Sequence, residues 1–428
     1  NTFSMMEALS PLAINHDDPF RTAMAFTQTS QHQMLVKKSM PSLITTGADE
    51  ALPYLTSNKF AYKCPFEKAV VKEVTKDYMI IEDTKTKQKD YVDLRTTIQK
   101  NSDGGFYITT KLDPIVKVGQ KLEGNDIVAY DKQSYSNAIG NGGKGGNPFG
   151  LSYNMGTLAK VAIMNTDLGY EDSCVVDNSI SEALESKVDV QKDVSLDKNS
   201  NVYNMVSVGD FVQEGDPLLI FQDAFDEKEA NELLKNITDD NAEGLSDLGR
   251  KPVRAKMTGR ITNIKIYRTC DDEELSPTLL KIVKAYDAKI NKLKKIMKKN
   301  GVDKEYTLES TSKLPAEGKL KHLDGVRIEF YIEVNDKFGI GDKLVFSQAL
   351  KGVNSYIIPK GDEAFSDYRK DEYVNAFLTI SGVMGRMVPS AMLQGLMNKL
   401  LIETARQCQE DLGIKPRMLN EILTDFKD

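Results

Sequence analysis

Between residues 279 and 299, apolar side chains recur every three or four positions, at Leu279, Val283, Tyr286, Ile290, Leu293 and Met297. That period lays one apolar stripe along an α-helix and predicts a helix over 279–299. Eight lysines, at 281, 284, 289, 292, 294, 295, 298 and 299, occupy much of the remainder. Such a basic face is either a solvated surface or a contact for nucleic acid or a partner. Most of the other signals are short and β-like. Tyr78-Met79-Ile80-Ile81, Phe106-Tyr107-Ile108 and Ile127-Val128-Ala129 stand between polar turns, and residues 253–268 alternate. One long helix among many short strands implies an α+β, multi-domain chain with a mixed β-barrel and sheet core and helical elements.

Further helices are expected over 21–35, over the polar stretch 225–250 and over 384–408. In the last, Met384, Met387, Met392 and Met397 read as core or interface filler. Strands are expected at 157–164, 174–177, 326–333 and within 343–358. Residues 118–125 weakly echo 208–216, with glycines spaced as in two turns joining short strands.

With 428 residues the chain is long enough for about two to four domains. Its net charge of −7 argues against a free-standing nucleic-acid binder, so any such contact rests on local basic patches or basic partners. Four scattered cysteines form no CxxC pair, and only three histidines are present, so no structural zinc site is legible. Reduced thiols in a cytosol-like compartment are expected. No uninterrupted apolar run of about 18 residues exists, so no membrane span or membrane partner is expected.

Four stretches gather groups suited to phosphate chemistry. The first is Leu12-Ala13-Ile14-Asn15-His16-Asp17-Asp18-Pro19-Phe20-Arg21, followed by Met24 and Gln31. The second is Gly169-Tyr170-Glu171-Asp172-Ser173. The third is Gly341-Asp342-Lys343, with Lys351-Gly352-Val353 eight residues later. The fourth is Ser381-Gly382-Val383-Met384-Gly385-Arg386-Met387. Negative charge accumulates on phosphate oxygens during phosphoryl transfer, and arginine, lysine and Mg²⁺ stabilise it. Adjacent carboxylates on a turn can orient a hydrated Mg²⁺. The glycine-rich stretch 140–146 contains Lys144 and could cradle a phosphate with backbone amides, but it lacks the Ser/Thr of a P-loop.

In the same order, these stretches resemble the β subunit of bacterial RNA polymerase and its archaeal and eukaryotic counterparts. Residues 12–31 resemble that family's HDDxxR…M…Q segment, residues 154–173 its stretch ending in GYNxEDS, and residues 341–352 its GDK…NKG segment. Residues 208–220 and 253–267 resemble its flap. The likeness runs from about residue 8 to about residue 405, and it departs in the stretch Leu344–Leu350 and in a GYNxED loop one residue shorter.

The resemblance implies a subunit of a DNA-directed RNA polymerase, a nucleotidyltransferase inactive on its own. Arg21 and Arg386 would contact the triphosphate of the incoming nucleotide. Lys343 and Lys351 would contact phosphates at the growing RNA end, with Gln31 near the RNA 3′ region. Glu171 and Asp172 would lie near a second Mg²⁺ through water, the main Mg²⁺ site belonging to a β′-type partner. The implied domains are 1–182 and 326–428 as two parts of a hybrid-binding and active-centre region, 183–275 as flap, and 276–325 as a lysine-rich helical insertion.

Partners would be β′-type subunits, an N-terminal β fragment, a promoter-specificity factor, template DNA and the RNA transcript. The chain resembles a split β subunit of giant tailed phages, which implies the cytoplasm of an infected bacterial host cell. Two other readings remain: a non-catalytic β-barrel interaction protein, whose motif residues need not meet in space, and a stand-alone phosphate-binding enzyme built on residues 140–146.

Overall fold

Residues 5–31, 35–100, 107–137, 151–223, 250–301, 323–347, 349–368 and 372–413 are described by the computed structural model. The loop 140–146 lies outside them, as does all of the polar stretch 225–250 except Arg250.

Side-chain alternation explains how the first β unit is built. In the strand Tyr78–Asp83, Met79 and Ile81 point into a core with Val71, Val92 and Val128, whereas Tyr78 and Ile80 point to the other side. Ile80 stands opposite Tyr91 on the strand Lys89–Asp93, and the rings of Tyr78 and Tyr91 stack at 5.4 Å. Lys68–Val74 and Lys121–Glu123 complete this antiparallel four-stranded sheet. A three-stranded sheet of Ala61–Lys63, Ile127–Asp131 and Leu112–Pro114 closes over the same core with Tyr62, Leu112 and Ala129.

The expected barrel does not form among the described residues. Closure needs an unbroken hydrogen-bonded circuit of strands. Here the strand ladders stay within each sheet; the two share a side-chain core and are joined at one corner by backbone bonds, Cys64 N–H to the Asp126 carbonyl at 2.8 Å and Gly124 N–H to the Glu67 carbonyl at 3.0 Å, and no circuit closes among the described residues.

The second unit is a six-stranded antiparallel sheet ordered Phe211–Val212, Gly259–Arg268, Gly325–Asp336, Ser186–Asp197, Tyr107–Thr110 and Thr97–Lys100. Gly325–Asp336 pairs along all 12 of its residues with Ser186–Asp197. The sheet draws on strands from both sides of the segment 183–275, so that segment shares its backbone ladder with its neighbours.

The lysine-rich helix spans Pro277–Lys299, started by Pro277 and by the Ser276 hydroxyl, which accepts from the Leu279 N–H at 3.3 Å. Its first half buries Leu279 and Val283 in the core of the six-stranded sheet. Its second half buries Ile290 and Met297 against Ile80 and Tyr91. Each such side chain contributes about 1.5–3 kcal/mol of burial. The helix therefore acts as a strut between the two β units.

The echo between 118–125 and 208–216 has a structural cause. One four-residue turn recurs at 117–120, 123–126, 207–210, 213–216 and 339–342. Its third residue has positive φ: Gly119 86°, Asn125 69°, Gly209 101°, Gly215 91° and Gly341 91°. The side chain of its fourth residue, Gln120, Asp126, Asp210, Asp216 or Asp342, accepts the first residue's N–H at 2.7–3.0 Å. Glycine or asparagine tolerates the left-handed backbone, and the fourth side chain satisfies a donor otherwise left to water. The last copy contains Gly341 and Asp342 of the third motif, and Lys343 follows it as the first residue of the strand Lys343–Phe346.

Candidate functional site

A five-stranded mixed sheet carries most of the candidate residues, in the order Val161–Ile163, Ala376–Leu378, Ser173–Asp177, Leu350–Ile358 and Lys343–Phe346. Glu171 and Asp172 form the turn entering Ser173–Asp177. The backbone of this turn is held from beneath. The Glu171 carbonyl accepts the Thr379 hydroxyl, and the Asp172 carbonyl accepts the Val353 N–H at 3.1 Å. With both carbonyls held, the two carboxylates project outward, and the Asp172 side chain is 66% exposed.

Two motif glycines make this approach possible. A Cβ on Gly382 would lie 2.7 Å from the Glu171 oxygen and 2.8 Å from Thr379 Oγ1; one on Gly352 would lie 3.0 Å from the Asp172 oxygen. Gly382→Ala should therefore displace the turn and cost about 1–3 kcal/mol, measured by denaturant unfolding. An unchanged midpoint would show that the turn has room to move.

The hairpin of Lys343–Phe346 and Leu350–Ile358 sorts its side chains by register. Lys343 pairs with Val353 and Val345 with Lys351, so all four share one face, on which Val353 is 40% exposed. Leu344 and Phe346 point the other way, onto the core of Cys174, Leu350, Leu378 and Val383. Lys343 and Lys351 are diagonal neighbours, about 7–8 Å apart at Cα. Because Val353 also pairs with Ser173, Lys343 stands two strand spacings, about 10 Å, from the end of the Glu171–Asp172 turn. The Asp342 turn and its bonds to Asn354 fix where this face begins.

Arg386 reaches the same turn from a segment that follows the strand Ala376–Leu378. Its Nη2 lies 2.7 Å from Asp172 Oδ1, and its Nη1 donates to the Ala349 carbonyl at 3.3 Å. The side chain is 18% exposed and its backbone is fixed between the buried Val383 and Val388. Two of the five guanidinium donors are thus engaged, leaving the others for a ligand.

The expected helix over 384–408 is divided into Ile380–Met384 and Pro389–Asp411. Pro389 disfavours helical backbone at Val388, and Met387 is left-handed at φ 50°. None of Met384, Met387, Met392 and Met397 is core filler; they are 42–68% exposed.

Val388 cannot cap the helix that follows it. Asp17 does so from 373 positions away, accepting the Ser390 N–H at 2.9 Å and the Ser390 hydroxyl. The first motif is thereby locked to the fourth. Asp17→Ala should lower stability by about 0.5–2 kcal/mol and Asp17→Asn by less, read from denaturant midpoints. Equal midpoints for all three proteins would remove the capping role.

Asp18 caps the helix Pro19–Gln31, accepting the Arg21 N–H at 2.9 Å. Ala25 of this helix enters the core beneath the site, and Arg21 precedes it by one turn. The Arg21 guanidinium lies 5.8 Å from the Phe20 ring centre and pairs with no carboxylate among the described residues. Arg386 is therefore joined to the Glu171–Asp172 turn, Lys343 and Lys351 lie on the adjoining hairpin with their side chains on the face away from Val383 and Val388, and Arg21 shares the underlying core without a direct bond to any of them. The side chain of Gln31 lies outside the described residues.

Sequence reasoning missed what supports the site: Thr379, the backbone bond of Val353 and the capping role of Asp17. A signal existed only for the last, since a helix opening on Val388-Pro389 has no local cap. Left-handed non-glycine residues also concentrate here. Leu12, Glu171, Ser347 and Met387 lie in or beside the four stretches, against Lys87 and Asn125 elsewhere among the described residues. Each costs on the order of 1–3 kcal/mol, the kind of strain that persists where function needs it.

A cavity of about 900 Å³ lies near this sheet, lined by Leu344, Phe346, Ile180, Met392 and Gln394. Of the candidate residues only Lys343 borders it. Among the described residues no three His, Cys, Asp or Glu side chains gather to hold a metal. Burial pushes the Cys174 thiol beneath the turn up to about 12, so it is no nucleophile at neutral pH. No helix of the described residues is long and apolar enough to cross a membrane. Compared with protein-family models and with curated proteins, the sequence matches neither.

Proposed function

We propose that this chain is a β-type subunit of a multi-subunit DNA-directed RNA polymerase and supplies phosphate-binding groups to its active centre. The observation that carries the reading is the Arg386–Asp172 pair at a turn whose neighbouring hairpin presents Lys343 and Lys351 on one outward face. Residues up to 215 positions apart in sequence lie on or beside one five-stranded sheet. A non-catalytic interaction protein would have no need of that convergence.

In this reading Arg386, held in place by Asp172 and the Ala349 carbonyl, grips the triphosphate of the incoming nucleotide, assisted by Arg21. Lys343 and Lys351 hold phosphates at the RNA end in line with it. Both act by neutralising charge that grows toward the transition state. Mg²⁺ supplies further charge neutralisation when bound. Glu171 and Asp172 are the residues that would hold its water shell; two carboxylates on an exposed turn suit outer ligands and do not make a full cage. The main metal site therefore belongs to a β′-type partner. An N-terminal β fragment, a promoter-specificity factor, template DNA and transcript complete the assembly, in the cytoplasm of an infected bacterial host.

The test is purification of the tagged chain from its native source under mild conditions. Large β′-like partners and Mg²⁺-dependent, DNA-templated RNA synthesis are expected. A chain that emerges alone and turns over nucleotides would end the reading.

A further inference from the structure

The lysine-rich helix has a use beyond that of a strut. At 100° per residue, Lys281, Lys284, Lys292, Lys295 and Lys299 fall within one arc of about 80°, a straight stripe some 27 Å long. The buried Leu279, Val283, Ile290 and Met297 lie diametrically opposite. Because the apolar stripe is fixed onto both β units, the lysine stripe is held facing solvent, and all eight lysines of the helix are exposed.

None of the eight pairs with a carboxylate among the described residues, and Asp287 is the helix's one acid. Local structure explains part of this pattern: Lys298 and Lys299 meet the negative end of the helix dipole. It gives no reason for the other six. Solubility needs interspersed charge of both signs, not a single-sign line in a chain of net charge −7.

We infer that the outer face of the helix Pro277–Lys299 is a track for the phosphodiester backbone of nucleic acid, independent of sequence. Rigidity favours this partner over an acidic polypeptide. A fixed row of ammonium groups matches a regular row of phosphates, and the counterions released supply the affinity. The inference does not depend on the polymerase reading, since it concerns a different face and no candidate active-site residue.

The test measures binding of the full-length chain to a labelled DNA duplex and to a labelled RNA single strand, between about 50 and 200 mM salt. The variant replaces Lys281, Lys284, Lys292, Lys295 and Lys299 by Gln. A control replaces five exposed lysines elsewhere, Lys59, Lys76, Lys111, Lys117 and Lys121, and so removes the same charge. In a plot of log affinity against log salt, the stripe variant should lose up to about 4.5 of slope on duplex, or about 3.5 on single strand. The substrate whose loss comes nearer its own limit is the one the track serves. A five-fold Lys→Arg variant should restore binding, which separates charge from folding. Equal losses in the scattered control, no loss in the stripe variant, or no binding by the parent chain would each overturn the inference.

Discussion

On the proposed polymerase reading, replacing Arg386 by Ala in the assembled enzyme is expected to raise the apparent KM for nucleoside triphosphates by about 10- to 150-fold. That corresponds to about 1.5–3 kcal/mol for hydrogen bonds made to a charged group. The guanidinium is already oriented by Asp172 at 2.7 Å and the Ala349 carbonyl at 3.3 Å, so little ordering entropy is lost when a phosphate arrives. The fold should tolerate the change. Asp172 is 66% exposed, so water replaces its partner, and a pair of this kind contributes about 0–1 kcal/mol. Arg386→Lys should recover only part of the affinity, because an ammonium keeps the charge without the planar fork. A defect confined to promoter binding, with nucleotide KM unchanged, would take Arg386 out of the active centre.

On the same proposed reading, Lys343→Ala and Lys351→Ala should each slow RNA elongation by about 100-fold, the scale seen when one preorganised charge-stabilising donor is removed. The two side chains share a face with Val345 and Val353, and the core beneath the hairpin is built from Leu344, Phe346 and Leu350. Subunit assembly and unfolding midpoint should therefore stay within about 0.5 kcal/mol of the parent. Catalysis and stability part company at these positions, which separates a phosphate contact from a packing role. Normal elongation by both variants would refute the assignment. A loss of assembly equal to the loss of synthesis would instead make the hairpin an interface.

The sequence by itself determined what depends on near neighbours. The 279–299 helix was legible because six apolar residues in a 3.6-residue period report one helix face, and that period needs no knowledge of what covers the face. The strand of Tyr78–Asp83 was legible for the same kind of reason. The candidate residues were legible as well, since Gly341-Asp342-Lys343 and Glu171-Asp172 are short motifs whose chemistry lies in the side chains themselves.

Only the tertiary structure decided how those pieces meet. Barrel closure was expected and is absent among the described residues, because closure is a property of strand pairs far apart in sequence. The methionines of 384–408 were expected as core or interface filler and are not in the core of this chain, because composition carries no information on which face a neighbour covers. The turn of Glu171 and Asp172 is supported by Thr379 and Val353, and the helix after Pro389 is capped by Asp17. Each of these bonds joins residues more than 170 positions apart, and pattern along a chain cannot register a hydrogen bond that exists only after the chain has folded back on itself.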